Sequence, residues 1–168
     1  MSQGFHPKPR VSYLSALPLG FSSDDEAMEI ILEEDWTPED LLARLNAATV
    51  EGLDFLSAVA LDDKEPKQQA ESFSYEATIP PELASGLDER IEEFLRSPSV
   101  EVVKANGKTL DARPCALELT FDGTTLRFTL AAQTGPEVGA REILDCLGLG
   151  DRLFREIFPN RTRSTIRS

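Results

Sequence analysis

The sequence predicts an α+β fold built as two successive α/β sandwich halves, and three observations carry that expectation. Apolar residues recur with period two in several short segments, the signature of half-buried strands. Between them lie three stretches whose apolar residues recur every three or four positions, which is helical spacing. A polar, proline-containing interval, Asp62-Asp63-Lys64-Glu65-Pro66-Lys67-Gln68-Gln69, divides the pattern and marks a linker over residues 62–71. At 168 residues the chain has room for one domain or two small ones.

The first half, residues 1–61, opens with Val11, Tyr13, Ser15, Leu17 and Leu19, a strand running to Gly20. After the polar turn Ser22–Glu26, Met28, Ile30 and Leu32 alternate in a second strand. Thr37 is a good N-cap, Pro38 suits the first helical position, and Glu39 and Asp40 favour the positive end of the helix. Trp36 is placed to staple onto Leu41. Leu41, Leu42, Leu45 and Ala48 form the stripe expected to be buried, and Gly52 releases the chain into a short strand over Leu53–Ala60.

The second half, residues 72–168, starts with a strand through Phe73, Tyr75, Ala77 and Ile79, stopped by Pro80-Pro81. Leu83, Leu87, Ile91 and Leu95 then predict one helix, ended by Ser97-Pro98. Val100–Val103 is a short strand before the tight-turn pair Asn106-Gly107. Cys115, Leu117, Leu119 and Phe121 alternate, Asp122-Gly123 turns, and Leu126, Phe128 and Leu130 alternate back as a hairpin. A last helix follows Gly135-Pro136 with Val138, Ile143, Leu144 and Leu147 inward, and Asp151–Phe158 reads as a final strand or a helical turn. Set side by side, the halves predict two ferredoxin-like α/β sandwiches in tandem, the first lacking its opening strand and helix. Helices on one face of each sheet would bury its apolar side.

Formal net charge is -13, unevenly spread: residues 1–21 carry +2, residues 151–168 carry +3, and the middle carries -18. Such a body repels phosphate chains and disfavours broad nonspecific binding of nucleic acid. Two basic ends can still make one local anionic-ligand site; the alternative is that both are solvated termini. No apolar run approaches the roughly 20 residues of a membrane span, and residues 1–10 lack the apolar core of a signal peptide, so the cytoplasm is expected. Cys115 and Cys146 have no ligand spacing, and no phosphate-loop, dinucleotide or zinc-protease motif occurs. No metal or cofactor is expected.

The densest chemistry lies at the start, in Ser2-Gln3-Gly4-Phe5-His6-Pro7-Lys8-Pro9-Arg10. Each proline biases the residue before it toward extended geometry, so His6 and Lys8 are presented rather than collapsed into a helix. His6 alone makes no metal site. It is open to an acid–base role, or to simple loop packing. Asp111 and Arg113, two apart in an extended segment, can share a ligand or make an edge ion pair. Arg161 and Arg163 have the same spacing, and two guanidiniums on one side of a strand suit phosphate or carboxylate; a disordered basic tail is the alternative. The acidic cluster Asp24-Asp25-Glu26 is expected to be solvated.

The segment from Ser2 to Arg10, running into Val11-Ser12-Tyr13 and Leu17-Pro18-Leu19-Gly20, resembles the signature of the radical SAM-linked DUF2344 proteins, a bacterial family of unassigned activity. Asn106-Gly107-Lys108 and Asp111-Ala112-Arg113-Pro114 carry the resemblance more faintly. It implies a strand and an arginine-rich helix ahead of Ser2, where this chain has Met1: the start has been trimmed, or this version does without it. It implies a radical SAM protein as partner, whereas this chain has no CxxxCxxC for an iron–sulfur cluster. The family's gene surroundings tilt the ligand toward RNA. The expectation is therefore a non-catalytic accessory or binding module for a radical SAM enzyme. Its small basic site for an anionic ligand would draw on Ser2, Gln3, Gly4, Phe5, His6, Lys8, Arg10, Asp111, Arg113, Arg161 and Arg163. The rivals are an RNA-processing enzyme using His6 as acid or base, and a purely protein-binding adaptor that uses the first-half sheet; self-association through that sheet, or a partner there, is a separate expectation.

Overall fold

Alternating apolar residues do become strands in the computed structural model, which describes residues 10–62, 66–104, 106–132 and 138–167. In chain order the elements are β1 (Arg10–Tyr13), β2 (Ser22–Ser23), β3 (Met28–Ile31), α1 (Pro38–Ala48), β4 (Ala70–Thr78), α2 (Pro81–Ala84) and α3 (Leu87–Arg96). They continue as β5 (Glu101–Val103), β6 (Thr109–Asp111), β7 (Ala116–Phe121), β8 (Thr125–Ala131), α4 (Ala140–Cys146) and β9 (Asn160–Ile166). The result is a mixed α+β protein. Its chain divides into two units, one from Met1–Ser12 and Met28–Lys67, the other from Tyr13–Ala27 and Gln68–Ser168. Tyr13–Ala27, which the sequence pattern groups with the first half, belongs to the second unit because Ser22 and Ser23 pair in parallel with Asn160 and Arg161.

The second unit is organised on a five-stranded sheet in the order β2-β9-β4-β8-β7. β4 runs antiparallel to both β8 and β9, and β7 antiparallel to β8. The chain therefore passes from β4 through α3 to a parallel β7, and from β8 through α4 to a parallel β9. Register puts Phe73 opposite Leu130, Tyr75 opposite Phe128 and Ala77 opposite Leu126, so period-two patterning sends one row of each strand inward. These residues share one core with Leu87, Ile91 and Phe94 of α3 and Ala140, Ile143 and Leu144 of α4. On the opposite face Ser74 and Thr129 join hydroxyls at 3.0 Å and Arg127 stands opposite Glu76.

One expectation fails here for a local reason. The single helix through Leu83 and Leu95 is two helices, because Gly86 takes a left-handed φ of 71° and turns the chain between them. The basic tail is the extended strand expected of Arg161 and Arg163 rather than the disordered alternative, and β9 lies between β2 and β4. Asp151–Phe158 contains no strand; a 3-10 turn over Gly150–Arg152 leads into β9.

In the first unit, β1 and β3 form a two-stranded sheet and α1 starts where the cap predicts, with Thr37 Oγ1 accepting from the Asp40 N–H at 3.1 Å. The strand expected over Leu53–Ala60 does not form. Asn46 on α1 takes both backbone groups of Phe55, accepting from its N–H at 2.7 Å and donating to its carbonyl at 2.9 Å, in place of a strand neighbour. The stripe Leu41, Leu42, Leu45 is only half-buried and Ala48 is exposed. Between Met28 and Asp62 no residue is buried.

Candidate functional site

β9 begins after the buried Pro159, and its second residue is Arg161, 1% exposed. A bulge sits at this point: Ser74 pairs with Arg163, yet the next residue, Tyr75, pairs with Arg161. The extra residue reverses the alternation, so Arg161 enters the core beside Tyr75 while Arg163, beside Ser74, is exposed. The two guanidiniums expected on one side of the strand are on opposite faces.

A buried guanidinium must find partners for its donors. Nη1 of Arg161 donates to Glu26 Oε1 and Oε2 at 2.8 and 3.1 Å. Nε and Nη2 donate to the Tyr75 hydroxyl at 3.2 and 3.1 Å, and Nη2 also reaches the Ala16 carbonyl at 3.4 Å. Its plane lies over the Phe73 ring, 4.5 Å from the centroid. Arg161 is thereby absorbed by the fold. The acidic turn supplies the counter-charge: Ser23 Oγ donates to Glu26, Asn160 Nδ2 to Asp24, and the Ser164 N–H to Asp25 at 2.7 Å. The cluster stays largely solvated as expected, Asp24 and Glu26 being exposed, yet it is also strapped along β9, because that strand carries the cations and hydroxyls able to hold it.

Beside Arg161 the second unit has a cavity of about 290 Å³. Phe73, Leu130, Val138 and Ala140 give it apolar walls, and Ser15, Lys104 and Arg141 bring polar groups to it. Lys104 Nζ pairs with Glu142 Oε1 at 2.5 Å, and Glu142 Oε2 accepts from the Gly139 N–H at 2.9 Å. Arg141 is different. It is exposed, lies 5.8 Å from the centroid of the Phe154 ring, and has no carboxylate within ion-pairing distance among the described residues. Phe154 itself takes a positive φ of 65°, uncommon for a bulky residue, and packs edge-on to Phe21 with centroids 6.0 Å apart. Phe154 thus packs beside Arg141, which also feels the Asp145 carboxylate one turn further along α4 without closing an ion pair with it.

Of the sequence-predicted residues, Arg161 lines this cavity, while Asp111, Arg113 and Arg163 do not. Asp111 Oδ1 accepts from the Val100 and Arg113 N–H groups at 2.9 and 3.0 Å, which holds its carboxyl below the usual aspartate range. The Arg113 side chain donates to the Leu95 and Ala116 carbonyls, so the pair clamps the end of α3 to the start of β7. Arg10 is exposed on β1 in the first unit. Ser2, Gln3, Gly4, Phe5, His6 and Lys8 lie outside the described residues. Lys104 and Arg141 carried no signal in the sequence, since their neighbours in the cavity come from β4, β8 and the loop before β2.

Cys115 is buried, and its thiol donates to the Asp111 carbonyl at 3.3 Å. Cys146 is half-buried, and burial followed by the nearby Asp145 and Glu142 carboxylates pushes its thiol pKa up, away from nucleophilic use. Among the described residues no group of three or more histidine, cysteine, aspartate or glutamate side chains is placed to hold a metal ion. No helix among them is long and apolar enough to cross a membrane. No curated protein and no solved structure matches the chain. The model of one family, uncharacterised proteins conserved in bacteria, matches residues 1–140. The chain belongs to that family, DUF2344.

Proposed function

We propose that the chain is a non-catalytic binding module that works beside a radical SAM enzyme and takes a small organic anion into the cavity of its second unit. The observation that carries the ligand reading is Arg141, an exposed cation with no carboxylate within ion-pairing distance among the described residues, at a cavity whose walls are Phe73, Leu130, Val138 and Ala140. Such a site rewards a ligand with an apolar body and one anionic group. Its volume, about 290 Å³, is at the small end for ligand pockets and favours a single ring with its substituent.

The strand order β9-β4-β8-β7, with two parallel crossovers, supports a ferredoxin-like reading of the second unit. RNA fits this unit less well than a small anion. The sheet face away from the core presents Ser74, Glu76, Arg127 and Thr129, with no aromatic among them for a base to stack on. The radical SAM partner rests on the family resemblance, and the absence of a CxxxCxxC makes the chain an accessory in that chemistry.

Calorimetric titration with phenyl phosphate, and separately with inorganic phosphate, tests the ligand. Phenyl phosphate is expected to bind the wild type more tightly than inorganic phosphate does. Arg141→Ala should lose about 1–3 kcal/mol of that binding. No heat with phenyl phosphate, or equal binding by Arg141→Ala, rejects the reading.

A further inference from the structure

We propose that the first unit docks a basic, amphipathic segment of a partner protein against the apolar residues between Val50 and Leu61. This goes beyond the cavity, which lies in the other unit. A segment that folds alone should bury its large apolar side chains, and this one does not. Val50 is 72% exposed, Leu56 74% and Val59 79%, with Leu53 and Leu61 near half. On β3, Ile31 is 62% exposed. Scattered exposed aliphatics are ordinary, but these six, with Leu32 at 41%, in a short unit with no buried residue among those described mark a surface awaiting a partner.

Charge says what that partner is. Across the first unit, Met1–Ser12 and Met28–Lys67, the sequence has eleven carboxylates against the five cations Lys8, Arg10, Arg44, Lys64 and Lys67, and between Met28 and Asp62 the balance is nine to Arg44 alone. Arg44 is itself turned over the Trp36 ring, 4.9 Å from its centroid. A field of this sign repels nucleic acid and anionic lipid headgroups. It equally opposes a second copy of this chain, which would bring the same negative surface into contact. A segment carrying Lys or Arg on one side and aliphatics on the other satisfies both features: its apolar side covers Leu53, Leu56 and Val59, and its cations meet the carboxylates.

The chain's single tryptophan, Trp36, lies in this unit and reports on it directly. The full chain is titrated with three peptides of about 14 residues, roughly four helical turns: one of Leu and Lys at amphipathic spacing, one with Glu replacing Lys, and one with Ser replacing Leu. The Leu/Lys peptide is expected to bind and shift Trp36 emission, and the other two to fail. Leu56→Ser with Val59→Ser should weaken binding at least about tenfold, the loss expected when two aliphatic contacts go. Both residues are exposed, so the double variant should unfold at the wild-type temperature. The proposal is overturned if the Ser/Lys peptide binds as well as Leu/Lys, if the double variant binds like wild type, or if the Leu/Lys peptide leaves Trp36 unchanged. Sedimentation showing a dimer that the same double variant dissolves assigns the surface to a second copy, and also overturns it.

Discussion

Arg161 and Glu26, 135 positions apart in sequence, meet in a bidentate ion pair with Nη1 at 2.8 and 3.1 Å from the two carboxylate oxygens. The pair is asymmetric. The arginine side chain is 2% exposed and the glutamate 33%, so removing the acid strands a buried cation, whereas the acid keeps access to water. The Tyr75 hydroxyl is the arginine's second partner and is buried with it.

From that asymmetry, Glu26→Ala and Tyr75→Phe should each destabilise the second unit by about 1–3 kcal/mol, the cost of a buried charged donor losing its acceptor. Denaturant midpoints measure it. Combined, the two should cost more than either alone, since both leave the same guanidinium short. A midpoint in Tyr75→Phe equal to wild type would show that water replaces the hydroxyl and that Arg161 is not sealed in.

Gly20 has φ +85°, and a Cβ built there would stand 2.4 Å from Cδ1 of the Phe154 ring. Gly52 has a similar φ, +87°, with nothing within 4 Å. Alanine at Gly52 meets only the left-handed strain of about 1–2 kcal/mol. Gly20→Ala adds overpacking and should reach about 2–4 kcal/mol. It should also move Arg141, which rests on the same Phe154 ring, and so weaken phenyl phosphate binding. Equal stability losses at the two sites would refute the close-contact account.

Asp111 gives a pH dependence with a definite sign. Bonds from the Val100 and Arg113 N–H groups stabilise its carboxylate and lower its folded pKa. Asp122 is lowered in the same way, first by the Thr125 N–H and then by Arg127. Above the ordinary aspartate range, near pH 4, both contributions are fully present. As pH falls, the unfolded chain takes up its protons first, and the stabilisation is lost as the pH drops through the lowered folded values. Asp111→Ala should therefore melt below wild type at pH 7, with the gap narrowing under about pH 4. A gap that stays constant down to pH 2 would mean that the carboxylate's charge contributes nothing.

The local signals in the chain were strong where one element answers to its own residues. Thr37-Pro38 starts α1, the alternation of Phe73, Tyr75 and Ala77 makes β4, and Asp122-Gly123 turns β7 into β8, because caps, pleats and tight turns are settled within a few residues. Gly86 was legible as a glycine but not as a helix break, since its left-handed φ depends on where α3 must pack. The site is another matter. Arg161 and Arg163 looked equivalent by spacing, and only the register of β9 against β4, with its bulge, put one in the core and the other in solvent. Asp24, Asp25 and Glu26 form the largely exposed turn their charges suggest, but only β9, arriving from the far end of the chain to pair with β2, makes them its hydrogen-bond partners. Lys104 and Arg141 became neighbours of Phe73 only through sheet order. Sequence alone determined the α+β elements and the acidic middle of the chain, because propensity, patterning and charge are local quantities. Which charges are buried, paired or left without a partner was decided by tertiary structure, because desolvation and pairing depend on atoms brought together from positions more than a hundred residues apart.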